Sequence, residues 1–295
     1  MDRMMRALKR TLSFQPEEDI VVMREVRGGD IGRSFYVETN ANKWFVKFRT
    51  DLPGFVFQRE AEGLALLRKT GAVAVPETHY AGDIPGQDGG MIVLEWIEPG
   101  PPRRAADEAL GRGIAELHRR RSPCGRFGLQ NDNYIGLLPQ PNGWCDTWTD
   151  FYLRNRLLPM TRLAEERGRL PAGRRKRLAR LADSLDRWIP ANTEPSLLHG
   201  DLWHGNWIAG NGGLPYLIDP AVFFGDREYE MAFTELFGGF SSRFYAAYEE
   251  IYPLSPDYAE RRPLYQLYYL LVHLILFGES YGAAVDRVLI RYVGM

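Results

Sequence analysis

A change of pattern at Glu98-Pro99-Gly100-Pro101-Pro102 constrains the fold more than any other feature of the chain. Ahead of it, apolar and β-branched runs alternate with turn residues: Ile20 to Val26, a glycine-rich stretch from Arg27 to Ser34, Phe35 to Glu38, a turn at Thr39-Asn40-Ala41-Asn42, and Trp44 to Phe48. This reads as a β-meander. Phe57 to Lys69 then sets Leu64, Leu66 and Leu67 among charges with helical periodicity and stops at Gly71. Strands follow around Thr78 to Ala81 and at Met91 to Ile97. Behind the connector the pattern turns helical, at Ala105 to Arg120, Trp148 to Leu158, Arg174 to Ile189, Phe240 to Tyr252 and Leu264 to Phe277. Short apolar pieces at Leu197-Leu198, Trp207-Ile208 and Tyr216 to Ile218 read as strands and loops set among those helices. Strands first and helices after predict an α+β chain of two lobes sharing a cleft: a β-rich lobe over 1–97 and a mainly helical lobe over 98–295.

Chemistry is concentrated in Leu198-His199-Gly200-Asp201-Leu202-Trp203-His204-Gly205-Asn206 and in Tyr216-Leu217-Ile218-Asp219-Pro220. Two carboxylates and one amide at this spacing suit phosphoryl transfer, which needs charge neutralisation on the phosphates, a placed acceptor and a destination for its proton. Asp201 is the candidate base. Asn206, five residues on, and Asp219, thirteen after that, are the candidate Mg2+ ligands. Any one of these could mark an ordinary turn; the ordered set argues for a site.

The other half of an ATP site is expected ahead of the connector. Lys47 falls inside a strand, where a strongly hydrated ammonium needs a partner or ligand. Glu60 lies on the helix that follows, above the core position Leu64, and is the expected partner; Glu62 is the alternative on another face. Gly28 and Gly29, with Ser34 at the end of the same stretch, would let backbone amides approach phosphate oxygens. The stretch is neither a Walker A motif nor a dinucleotide fingerprint. Glu95 and Ile97, just before the connector, are placed to bind adenine through backbone groups, with Ile208 and Ile218 as an apolar floor.

These residues resemble the fructosamine kinase (ketosamine 3-kinase) family, a branch of the aminoglycoside phosphotransferase and protein-kinase-like fold. The likeness runs over nearly the whole chain, through Phe45-Val46-Lys47, Val75-Pro76, Leu117-His118, Phe127-Gly128, Pro139-Gln140-Pro141-Asn142 and Phe151-Tyr152 to Gly225-Asp226-Arg227-Glu228. Trp203 directly after Asp201-Leu202, and Asp219-Pro220-Ala221 in place of Asp-Phe-Gly, point to the ketosamine branch. The resemblance implies a bilobal kinase-like fold, a small antiparallel sheet with one αC-type helix beside a larger helical lobe. It implies ATP- and Mg2+-dependent phosphorylation of the 3-hydroxyl of ribulosamines, erythrulosamines or fructosamines, in support of protein deglycation. Asp201 would be the base, Asn206 and Asp219 the metal ligands, Lys47 the phosphate contact and Glu60 its partner, with Trp203 and His204 at the sugar. Glu230 would anchor the catalytic loop and His199 would order its backbone. Two departures stand out. Asp30 replaces a cysteine common in the glycine loop, so no disulfide switch is expected there, and His204 replaces a small residue.

Composition narrows the partners. A net charge of −1 and a pI near 6.6 give no field toward nucleic acid or an anionic membrane, and Arg174-Arg175-Lys176-Arg177 reads as a solvated helix face. Met1 to Phe14 reads as an amphipathic helix rather than a signal peptide, and Tyr268 to Phe277 is too short to span a bilayer. Cys124 and Cys145 form no paired motif, which suits a reducing compartment. A cytoplasmic monomer is expected. The alternatives are a choline- or aminoglycoside-type phosphotransferase, disfavoured by Arg154, Arg156 and Arg162 where a polycation would need acids, and an inactive kinase-fold binding module.

Overall fold

Alternation along five strands decides which side chains face the site. The strands are β1 (Ile20–Val26), β2 (Arg33–Thr39), β3 (Lys43–Arg49), β4 (Thr78–Asp83) and β5 (Gly90–Glu95), in the order β1-β2-β3-β5-β4, with every neighbour antiparallel. Phe35 pairs with Val46 and Val46 with Val93; with Leu8, Val37, Ile84 and Met91 they form one buried cluster. The period of two sends the next row, Ser34, Lys47 and Ile92, to the opposite face.

The computed structural model describes residues 8–9, 19–26, 33–100 and 106–294, and the chain divides into two compact units. The first is Met1–Leu110 with Gly205–Pro220; the second is Gly111–His204 with Ala221–Met295. This differs from the division at 97/98 read from composition, because a hairpin distant in sequence belongs with the sheet. Leu217 N–H donates to the Ala74 carbonyl at 2.9 Å and Gly100 N–H to the Ala209 carbonyl at 2.8 Å. The Pro/Gly connector is thus partly built into the first unit.

Helix α1 (Gly54–Thr70) starts three residues before the periodic signal and ends at Gly71, whose φ of 64° gives the left-handed cap. Gly54 N–H is capped by the Asp83 carboxylate at 2.8 Å, and a Cβ at Gly54 would lie 2.0 Å from the Asp83 nitrogen. Glycine is therefore required for the helix to enter so close to β4.

The second unit is mainly helical. It holds the C-terminal part of α2 (Asp107–His118), then α3 (Trp148–Phe151), a π-helical turn (Tyr152–Leu157), α4 (Leu158–Glu166), α5 (Ala172–Ala182), α6 (Arg227–Leu236), α7 (Ser242–Ile251), α8 (Tyr258–Phe277) and α9 (Gly282–Val293). Two short antiparallel ladders join β6 (Asn133–Ile135) to β7 (Leu138–Gln140) and β8 (Ser196–Leu198) to β11 (Phe223–Gly225); β9 (Trp207–Ala209) and β10 (Pro215–Leu217) form the hairpin of the first unit. The core of the second unit is aromatic, with Trp148, Phe151, Tyr152, Phe223, Tyr229, Tyr265, Tyr268 and Tyr269 all buried.

Several boundaries differ from expectation. The single helix expected over Trp148 to Leu158 contains the π-turn, which buries Arg156 over the Phe223 ring at 4.0 Å. The helix expected over Arg174 to Ile189 ends at Ala182 and gives way to a 3-10 turn at Leu185–Arg187. Helix α8 begins at Tyr258, so Pro263 sits inside it rather than ahead of it, and α9 was not anticipated. The helix expected over Met1 to Phe14 falls outside the described residues apart from Leu8 and Lys9, which are helical. No helix among the described residues is long and apolar enough to cross a membrane.

Candidate active site

In the first unit three charges from distant parts of the sequence meet. Lys47 Nζ lies 2.9 Å from Glu60 Oε1 and 2.6 Å from Asp219 Oδ1. Strand β3 presents the lysine, α1 the glutamate, and the end of the β9–β10 hairpin the aspartate. Glu62, the alternative partner, instead binds Arg59 at 2.7 Å. Burial alone would lower the Lys47 pKa, but the Asp219 and Glu60 carboxylates outweigh it and hold the ammonium above its ordinary value. Burial pushes Glu60 up, and the negative Asp219 adds to this against the pull of Lys47. Two carboxylates share one ammonium, so the three groups leave a formal excess of one negative charge.

Asp219 is the one non-glycine residue with positive φ among the described residues, at 50°. A left-handed aspartate at a site residue is strain held in place by its surroundings. Ile218 N–H donates to the Asn206 carbonyl at 3.0 Å and extends the β9–β10 ladder by one step, so Asn206 and Asp219 end its two strands. An amide oxygen and a carboxylate suit a hard cation that draws its remaining ligands from phosphates. No preformed cluster of three or more His, Cys, Asp or Glu exists among the described residues.

The other nucleotide residues expected from sequence divide. Ser34 is buried opposite Lys47. Gly28 and Gly29 lie outside the described residues. Ile208 pairs with Tyr216, and the period of two puts Ile218 on the same face of the hairpin. Ile97 is buried, with its Cγ2 within 3.2 Å of where a Cβ on Gly210 would be. The Glu95 N–H donates to the Glu77 carbonyl at 2.8 Å, and its carboxylate accepts from Glu77 N–H at 3.1 Å. Pairing with the chain beside β4 therefore leaves the carbonyl, not the amide, as the Glu95 backbone group that could meet adenine.

In the second unit the backbone of the loop that carries the candidate base Asp201 is clamped. Glu230, in the first turn of α6, accepts from His199 N–H at 3.0 Å and Gly200 N–H at 2.6 Å. His118 Nε2 lies 3.0 Å from the same carboxylate and its Nδ1 2.9 Å from the Tyr248 hydroxyl, which accepts from Arg227 at 3.0 Å. That order makes Nε2 the protonated nitrogen of His118. Burial would raise Glu230, but His118 and the loop amides hold it below the usual carboxylate range; burial lowers His118 against the pull of Glu230. His199 orders the loop, as expected. It is fully buried, and its Nδ1 accepts from Asp201 N–H at 3.2 Å. Tyr269 donates to the Gly200 carbonyl at 2.9 Å. Gly200 has φ 85°, and a Cβ there would come within 1.9 Å of the Ala221 carbonyl oxygen, so the loop closes only with glycine.

Trp203 and His204 are partly exposed and lie edge to face with centroids 5.0 Å apart. The His204 ring packs on Gly239, where a Cβ would come within 2.5 Å of His204 Cγ. Sequence reasoning missed the buried amides that grip the chain after Asp219-Pro220. Gln140 Nε2 donates to the Ala221 carbonyl at 3.1 Å and Asn133 Nδ2 to the Val222 carbonyl at 2.9 Å, while Gln140 accepts from Tyr268. The available signal was Gln140 set between Pro139 and Pro141; Asn133 carried none. Asp226 is structural: it caps α6 through Glu228 N–H at 2.9 Å and accepts from Tyr265 at 2.6 Å.

Comparison with known proteins agrees with this geometry. The fructosamine kinase family model matches residues 4–294. A protein of Lactiplantibacillus plantarum named "Probable ketoamine kinase" is 40% identical over 290 residues, covering 98% of this chain and 100% of that one. The chloroplastic protein-ribulosamine 3-kinase of Arabidopsis thaliana is 34% identical over 276 residues, 94% of this chain and 84% of that one. A crystal structure from Thermobifida fusca YX-ER1, provisionally named a fructosamine-3-kinase, superposes with a TM-score of 0.84 at 31% identity, covering 98% of this chain and 97% of that one. Aminoglycoside phosphotransferase APH(4)-Ia, solved as a thermostable mutant with AMP-PNP and hygromycin B, has a TM-score of 0.64 at 16% identity over 98% of each chain, a likeness of fold alone. With a family model spanning almost its full length and relatives alike from end to end, the chain belongs to the fructosamine kinase family.

Proposed function

We propose that the protein is an ATP-dependent kinase that phosphorylates the 3-hydroxyl of ketosamines, with ribulosamines and erythrulosamines ahead of fructosamines, and so supports deglycation of amines. The observation that carries this reading is the meeting of Lys47 with Glu60 and Asp219 in a chain whose relatives are ketoamine and ribulosamine kinases. Lys47 holds the phosphates of ATP, and Glu60 keeps it aimed. Asn206 and Asp219 hold Mg2+, which when bound neutralises charge on the phosphates. Asp201 orients the sugar hydroxyl and takes its proton as the new O–P bond forms and the bond to ADP breaks. Trp203 and His204 meet the sugar. The backbone clamp from Glu230 and His118 supports this role for Asp201, because a base must be held within hydrogen-bond reach of the proton that it removes. The two cysteines are unpaired, in keeping with a reducing cytoplasm.

The test is ADP release from Mg-ATP with ribulose-, erythrulose- and fructose-lysine, choline and an aminoglycoside, followed by phosphorus NMR of the product. The reading expects turnover of ketosamines and a phosphate ester at the 3-position. Turnover of choline or the aminoglycoside alone would overturn it.

A further inference from the structure

A strip of aromatic side chains in the second unit begins under the catalytic loop and runs outward to solvent. On α8, Tyr269 donates to the Gly200 carbonyl, and His273, one turn on, hydrogen-bonds through Nδ1 to the Tyr269 carbonyl at 2.8 Å. Phe277 follows another turn later. At the rise of a helix, His273 stands about 6 Å and Phe277 about 12 Å along the axis from Tyr269. Phe237 and Tyr281 flank the strip, with centroids 4.6 Å and 5.1 Å from His273. Phe237 is 38% exposed and Phe277 51%, an unusual cost for large apolar rings on a surface. A second tie to the loop comes from the other side: Gly239, two residues after Phe237, carries the His204 ring.

We propose that this strip receives the amine-borne carbon chain of the ketosamine, the methylene stem that joins the sugar to its carrier. The inference rests on the ketosamine reading above. Tyr269 itself is buried, and the accessible reach from His273 to Phe277, about 6 Å along the helix, matches the scale of a four-carbon amine stem, the apolar part of a substrate whose sugar end needs polar groups. The charges at the outer end agree. Arg167 donates to the Ile275 carbonyl at 3.3 Å, Arg169 packs on Gly278, and Glu279 is held by Arg174 at 2.7 Å. The strip therefore ends among cations and a neutralised acid, a poor seat for a polycationic substrate and no obstacle to a hydrocarbon stem.

The test is kcat/KM for ribulosamines made from methyl-, butyl- and hexylamine, measured in the wild type, in Phe237→Ala/Phe277→Ala, and in Ile290→Ala as an exposed apolar control on α9. In the wild type and the control, kcat/KM should rise about two- to four-fold per added methylene, the scale of burying a CH2 group. In the double variant that gradient should collapse toward one-fold. A flat gradient in the wild type, or a steep one that survives the double variant, overturns the proposal while turnover of the methylamine adduct keeps the kinase reading intact. If no adduct is turned over, the kinase reading fails and takes this inference with it.

Discussion

Glu60 in the first unit and Glu230 in the second are both helix carboxylates facing basic partners, and their surroundings push them in opposite directions. Glu60 shares one ammonium with Asp219, keeps about a seventh of its side chain exposed, at 15%, and is raised. Glu230 is fully buried, accepts from two backbone amides and His118, and is lowered. The amides that satisfy Glu230 are delivered by folding itself, so that site is complete once the chain folds. The ammonium between Glu60 and Asp219 is divided between two acceptors, and a phosphate would engage it once a cation takes up the Asp219 charge. The contrast separates a carboxylate that shapes a loop from one that, in the proposed reading, would tune a ligand contact.

The largest expected effect tests the residue that the clamp serves. Asp201→Asn should lower kcat on ketosamines by about 10²- to 10⁴-fold, the scale of removing a general base, with the melting temperature held within about 2 °C. If activity survived, the clamp would be scaffolding for something other than proton transfer. Glu230→Ala should act the other way round, mainly on stability. It leaves two buried amides and His118 without their acceptor, and a loss of about 3–5 kcal/mol in urea unfolding is expected. A loss under about 1 kcal/mol, the net worth of one ordinary hydrogen bond, would mean that Glu230 does not hold the loop.

Lys47→Met should sit at the opposite pole. Removing one preorganised cation from the phosphates is expected to lower kcat/KM for ATP by about 10²- to 10³-fold. Its cost to stability should stay below about 1 kcal/mol, since Glu60 is already displaced toward its protonated form and can take up a proton when the ammonium is gone. A large drop in stability with intact ATP kinetics would recast the triad as structural.

The two carboxylates were not equally legible in the sequence. Lys47, Glu60, Asp201, Asn206 and Asp219 could be named because their chemistry depends on residue type and on spacing within short stretches. That Lys47 should choose Glu60 over Glu62 followed from helix geometry alone. The grip of Gln140 and Asn133 on residues 221 and 222 could not be read, since it couples side chains to main-chain carbonyls more than eighty residues away. Nor could the place of the β9–β10 hairpin in the first unit. Local pattern identified its strands, while the hydrogen bonds to Ala74 and Gly100 that decide where it belongs are non-local. The use of the Glu95 amide was hidden for the same reason: the partner that takes it is Glu77, beside a strand whose register the sequence does not specify.

Asp226 offers the finest test of the contrast, because it is buried like Glu230 yet has a negative neighbour like Glu60. Burial, with Glu228 adding to it, pushes its carboxyl up to about 6, against an ordinary value of 3.8, while Tyr265 and the Glu228 amide pull it back. A folded-state pKa above the unfolded one means that the native chain binds the proton more tightly. The stabilisation is then complete below about pH 4 and is lost as pH rises through about 6. Asp226→Asn removes this titration whatever constant cost it adds at the α6 cap. Urea unfolding at steps from pH 4.5 to 7.5 should show the wild type losing about 2 kcal/mol relative to the variant across that window. Parallel curves would mean that the Tyr265 and amide hydrogen bonds compensate its burial fully, placing Asp226 with Glu230 as a carboxylate satisfied by folding alone.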